Sequence, residues 1–161
     1  MAMLGSIHSM SYLDTHGFLD RIKAYFKRCQ HVTIEEQYEK FNVRVFDIHI
    51  YFINDGLKRA IFKMGDIELE TFSIFEVMNF LDRHDNVYVR MVLEETNFEA
   101  HDINYNLAME ARFREYCSML ESVFKNIKFF GGYRECDSHR LYNFNYDHPI
   151  DVEFKKDVHK L

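Results

Sequence analysis

Breakers are scarce in this chain: it has one proline, Pro149, and six glycines in 161 residues. Element boundaries must therefore be read from the period of the apolar residues rather than from punctuation. Tryptophan is absent, so sixteen phenylalanines and ten tyrosines supply the large rings of the core, and each buried tyrosine hydroxyl needs a partner. The three cysteines, Cys29, Cys117 and Cys136, include no CxxC pair, which argues against a disulfide framework and a zinc knuckle and suits a reducing compartment. Positive charge is not in excess. With a formal net charge of −6, no bulk field draws the chain to nucleic acid or anionic lipid. No apolar run approaches the roughly 18 residues of a membrane span, and the opening MAMLGSIHSM lacks the features of a secretion signal, so a cytoplasmic location is expected.

What is present describes one globular domain over residues 1–161. Apolar residues make up 47% and charged residues 29%, well away from disordered compositions. A short apolar lead-in over 1–8 reads as a strand ending at Gly5-Ser6-Ile7-His8. Phe18, Ile22, Tyr25 and Phe26 repeat at helical spacing over 18–29, and Thr33 with Glu36 forms a capping-box signature for a short second helix.

The run VRVFDIHIYFI is the clearest strand, with Val43, Val45, Asp47 and His49 on one face and Arg44, Phe46, Ile48 and Ile50 on the other. Asn54-Asp55-Gly56 predicts a turn into an antiparallel return strand, LKRAIFK. A helix follows over 72–81, then a buried strand NVYVRMVL ending in Glu94 and Glu95. The longest helix is predicted over 103–125, followed by a strand IKFFGGY closed by Gly131-Gly132. An aromatic segment, Leu141 to Tyr146, is expected to cover an edge of the sheet or to mediate a homo-oligomer. Alternation of strand and helix points to an α/β fold with parallel strands, either a barrel or an open sheet, and places ligands at the C-terminal strand ends.

The candidate chemistry accordingly falls on His8, Asp47, His49 and Glu94. Asp47 and His49 share a strand face, and a carboxylate beside an imidazole fixes its tautomer or helps bind a cation. Nine histidines make a chance Asp-x-His pair common, so a structural or surface role stands beside the catalytic one. The four residues also form a mixed nitrogen and oxygen donor set for a divalent metal, better matched to zinc, manganese or iron than to calcium. Cys136-Asp137-Ser138-His139 holds nucleophile, acid and base types, but neighbours on one segment rarely face one another, and it reads as a loop.

The segments GSIHSMSY, CQHVTIEEQYEKFNVRVFDIH and FSIFEVMNFLDRHDNVYVRMVLE, in this order, resemble the phosphatidylinositol-specific phospholipase C-like phosphodiesterases over residues 4–95. Gln37, Val43, Arg44, Phe46 and Asp47 fall in register with that family's most specific segment. The resemblance implies a partial or distorted parallel β/α, TIM-like barrel acting on a small phosphodiester by general acid–base chemistry. His8 would be the first catalytic histidine, Asp47 the second-strand acid and His49 a candidate second acid or base. Ser9, Arg44 and Glu94 would lie on the substrate side. The family's second histidine falls on Met64, beside Gly65, and methionine cannot carry a proton at neutral pH. Two outcomes are implied: catalysis with His49 as substitute, or a non-catalytic binding or assembly protein that keeps the fold.

Overall fold

In the computed structural model the structure describes residues 2–53, 59–69, 73–94, 103–134 and 151–161. The expected turn at Asn54–Gly56, Glu95, the Cys136–His139 run and the aromatic segment Leu141–Tyr146 lie outside them. The elements are β1 (Met3–Ser6), α1 (Phe18–Lys27), α2 (Ile34–Glu39), β2 (Val43–Phe52), β3 (Ala60–Met64), β4 (Ile67–Glu68), α3 (Ile74–Asp82), β5 (Tyr88–Leu93), α4 (Ile103–Val123), β6 (Lys128–Arg134) and β7 (Val152–Lys155), with a 3-10 turn at Val158–Lys160. None of the helices among the described residues is long and apolar enough to cross a membrane.

Five strands run parallel, in the order β7-β1-β2-β5-β6. The sheet is open, so the fold is α/β as read from the sequence, while a closed TIM barrel is not observed. β2 is the pivot. Its first half pairs with β1, from Leu4 against Val43 to Ser6 against Phe46, and its last residues pair antiparallel with β3, from Ile50 against Phe62 to Phe52 against Ala60. Along its other edge β2 stays paired with β5 from Val45–Tyr88 to Ile50–Leu93. The edge of β2 is thus handed from one neighbour to another around residues 47–49, and that gap is where the site forms.

One face of the sheet carries the main core. Phe46, Ile48 and Ile50 of β2, with Val89, Met91 and Leu93 of β5, meet Ile74, Val77, Met78 and Leu81 of α3, Phe113, Cys117 and Leu120 of α4, and Phe124 just after it. The three- and four-residue spacing of both helices places those side chains on one stripe. α2 starts as its sequence predicts: the Thr33 hydroxyl accepts from the Glu36 N–H, and the Glu36 carboxylate accepts from the Thr33 N–H.

Two local expectations change. β6 does not close at Gly131-Gly132 but continues to Arg134; Gly131 takes φ +79° where the register against β5 shifts between Met91 and Val92, a bulge conformation that glycine adopts without a side-chain clash. In α1 the helical period is right but the apolar stripe faces outward. Phe18, Leu19, Tyr25 and Phe26 are more than 70% exposed, and only Ala24 is buried.

Candidate functional site

The opposite face of β2 and β5 is buried yet polar. Asp47 and His49, two residues apart on β2, project to the same side, and Asp47 stands in register with Arg90 of β5. Glu94 follows β5 directly, and its N–H donates to the Ile50 carbonyl at 2.9 Å, which continues the ladder by one bond.

The turn after β1 fills the gap in the β2 edge. Ser9 donates its N–H to the Asp47 carbonyl at 2.9 Å, and its hydroxyl accepts the Asp47 N–H at 2.7 Å. That hydroxyl also donates to the Ser6 carbonyl at 3.0 Å. The side chain of Gln37 donates to the Ser9 carbonyl at 2.8 Å, and that of Gln30 to the Ile7 carbonyl at 3.0 Å, so two buried amides hold the turn in shape. His8 sits within it at φ +45°, a left-handed conformation disfavoured for a residue with a side chain. Such a residue persists only where its surroundings over-determine it, and these bonds do so.

The result is a compact cluster. His49 donates from Nε2 to Asp47 Oδ2 at 2.8 Å and from Nδ1 to Glu94 Oε2. Asp47 Oδ2 also accepts the His8 N–H at 3.1 Å, and Asp47 Oδ1 accepts from Arg90 Nε at 2.7 Å. Glu94 Oε1 accepts the Gly65 N–H at 2.6 Å, so the turn between β3 and β4 reaches the site as well. The His8 ring stacks on His49 with centroids 3.8 Å apart and planes 30° from parallel. The Arg90 guanidinium lies 4.1 Å from the centroid of the Phe154 ring on β7.

The two imidazoles are held in opposite states. Burial opposes charge on His49, but the Asp47 carboxylate and the hydrogen bonds that the ring donates to both carboxylates outweigh it and push its pKa up to about 10. For Asp47, burial likewise opposes ionisation, and His49 and Arg90 outweigh it, holding the carboxyl well below its ordinary range. Burial, helped by the His49 charge beneath it, lowers His8 to about 4. At neutral pH His49 is therefore a clamped imidazolium and His8 a neutral ring.

Of the residues singled out from the sequence, His8, Asp47, His49 and Glu94 come together. Ser9 is buried with its hydroxyl turned into the β1–β2 junction, where it shapes the turn instead of facing a ligand. Arg44 is elsewhere: near the start of β2, it donates to the Tyr38 carbonyl at 3.1 Å and stacks on the Tyr38 ring at 3.9 Å. The sequence reading missed Arg90. The available signal was an arginine inside an otherwise apolar strand, which calls for a buried counter-charge, and parallel pairing with β2 supplies Asp47. Met64 is a buried core residue.

His8, His49 and Glu94 each offer a ligand atom within 4.8 Å of the others. Two imidazoles and one carboxylate suit a zinc-class ion better than calcium. A metal on His49 must also displace a proton held between two carboxylates, so protonation competes strongly with coordination there. No protein-family model, no curated protein and no solved structure matches this chain.

Proposed function

We propose that the chain is a phospholipase C-like phosphodiesterase built on an incomplete parallel β/α barrel, with a single working histidine. The observation that carries this reading is the division of labour between two stacked rings. Both nitrogens of His49 are engaged by carboxylates, which removes it as the substitute acid, whereas His8 is neutral and only partly buried just past the C-terminal end of β1.

In this reading a hydroxyl of the substrate attacks the neighbouring phosphorus and His8 takes the hydroxyl proton. The P–O bond to the leaving group breaks, and the product is a cyclic phosphodiester. His49, tied to Asp47 and Glu94, fixes the orientation of the His8 ring by stacking and keeps its pKa low. Among the described residues none stands in for the missing acid at Met64, so the leaving group departs as its anion. One general acid is worth about two to four orders of magnitude in rate. A base with a pKa near 4 is also a weak one at neutral pH. Turnover is therefore slow and confined to leaving groups that need no proton.

The test uses two phosphodiesters with the same neighbouring hydroxyl, one with a p-nitrophenyl and one with an alkyl leaving group. The protein should release p-nitrophenolate in a reaction abolished by His8→Ala, and should leave the alkyl ester intact. Failure to cleave either would support the second reading, a non-catalytic binding or assembly protein, which the buried Met64 favours. Cleavage of both at similar rates would mean that an acid is present after all.

A further inference from the structure

A second cluster of metal-ligating side chains lies outside the site described above, where the C-terminal segment meets the loop after α1. The Asp157 N–H donates to the Cys29 carbonyl at 2.7 Å, and the Val158 N–H donates to the Gln30 side-chain oxygen at 3.2 Å. These bonds bring together residues far apart in sequence. His31 Nδ1 lies 2.6 Å from Asp157 Oδ1, and the His31 and His159 ring centroids are 5.3 Å apart. His31, Asp157 and His159 each offer one ligand atom, and all three atoms lie within 4.8 Å of one another.

Two further features point to an ion. The Nδ1 of His159 is buried and has no hydrogen-bond partner among the described residues, a state that costs about 1–3 kcal/mol when nothing compensates it. Asp157 has φ +48°, a left-handed backbone that asparagine and aspartate tolerate best, and this conformation begins the turn that carries His159 back toward His31. We propose that His31, Asp157 and His159 form a binding site for a divalent transition metal of the zinc class, with water completing the shell. Ligand atoms around tetrahedral zinc are ~3.3 Å apart for bonds of about 2.0 Å, so completing the shell needs a shift that opens the 2.6 Å His31–Asp157 pair and closes the wider separations. His31, with a side chain 40% exposed, is free to make it. Two imidazoles and one carboxylate exclude calcium and magnesium, which require oxygen-rich shells.

Lys160 opposes the ion, because its ammonium lies 3.0 Å from Asp157 Oδ2. With a side chain 65% exposed, it can turn away into solvent. The bound ion would staple β7 to the loop after α1. The buried Gln30, one residue before His31, donates to the carbonyls of both Ile7 and Lys155, so the staple also braces the turn that carries His8.

The experiment titrates the purified full-length chain with Co(II), whose visible bands report nitrogen and oxygen ligation, and competes it with Zn(II). The expected result is one equivalent bound at micromolar or lower concentration and released to zinc. In His31→Ala/His159→Ala and in Asp157→Asn, both checked for folding by circular dichroism, affinity should fall at least about 100-fold. His8→Ala should bind as the unaltered protein does, which separates this site from the first cluster. Lys160→Met, which removes the competing ammonium, should bind several-fold more tightly. Binding weaker than millimolar, binding retained in the double variant, loss confined to His8→Ala, or no gain in Lys160→Met would each overturn the proposal.

Discussion

Replacing His49 with leucine removes the cation that joins Asp47 to Glu94 while keeping the volume of the side chain. Asp47 retains the Arg90 guanidinium at 2.7 Å, and Glu94 retains the Gly65 N–H at 2.6 Å. Both carboxylates are essentially inaccessible to water, at 1% and 0% exposure. Removing one member of a buried ion pair costs about 3–5 kcal/mol, and the surviving arginine places this case near 3 kcal/mol. Domain stabilities are about 5–15 kcal/mol, so the variant should still fold, with a melting temperature lower by roughly 6–12 °C. Urea denaturation at pH 8 and at pH 5 measures the loss. His49→Gln, which restores hydrogen bonds without charge, should recover part of it. A deficit below about 1 kcal/mol at both pH values would refute the buried ion cluster.

The stability of the unaltered protein should itself depend on pH. His49 has a folded pKa of about 10, above the unfolded 6.5, so its contribution is complete below 6.5 and is lost as pH rises through 10. His8, with a folded pKa of about 4, binds its proton more weakly when folded, so stability should also decline as pH falls from 6.5 toward 4. Urea midpoints should therefore peak near pH 6.5, and a midpoint rising steadily from pH 7 to pH 10 would contradict the His49 assignment. Gly131→Ala should destabilise by at least ~1–2 kcal/mol from the left-handed backbone alone. Its Cβ would also lie 2.9 Å from Arg90 Cγ, so the arginine must shift from Asp47, and chemical denaturation should show a loss larger than the backbone term.

Much of the fold was legible because the apolar periods were clean. The face alternation along Val43–Phe52 located the pivot strand, and the helical stripes of α3 and α4 became the main core. The outward stripe of α1 was not legible: the period shows that Phe18, Ile22, Tyr25 and Phe26 share a helix face, not whether another element covers it. Pairing Asp47 with His49 needed only the strand period, and bringing in Glu94 needed only parallel neighbours, both of which local sequence suggests. The parts that escaped were matters of register and turn geometry. Arg90 reaches Asp47 because β2 and β5 align Asp47 against Arg90, and Ser9 turns inward because the β2 edge is vacated between β1 and β3. The His31–Asp157–His159 cluster joins residues separated by almost the whole chain, which no local pattern discloses.

The two stacked histidines are held in opposite protonation states, His49 as a clamped cation and His8 as a neutral ring. Nitrogen-15 NMR of histidine-labelled protein, assigned with His8→Ala and His49→Gln, tests it most directly. At pH 8 both ring nitrogens of His49 should carry protons, and His8 should stay neutral until the pH approaches about 4. A His49 ring that loses a proton near pH 6.5, or a His8 ring already charged at pH 6, would contradict the account.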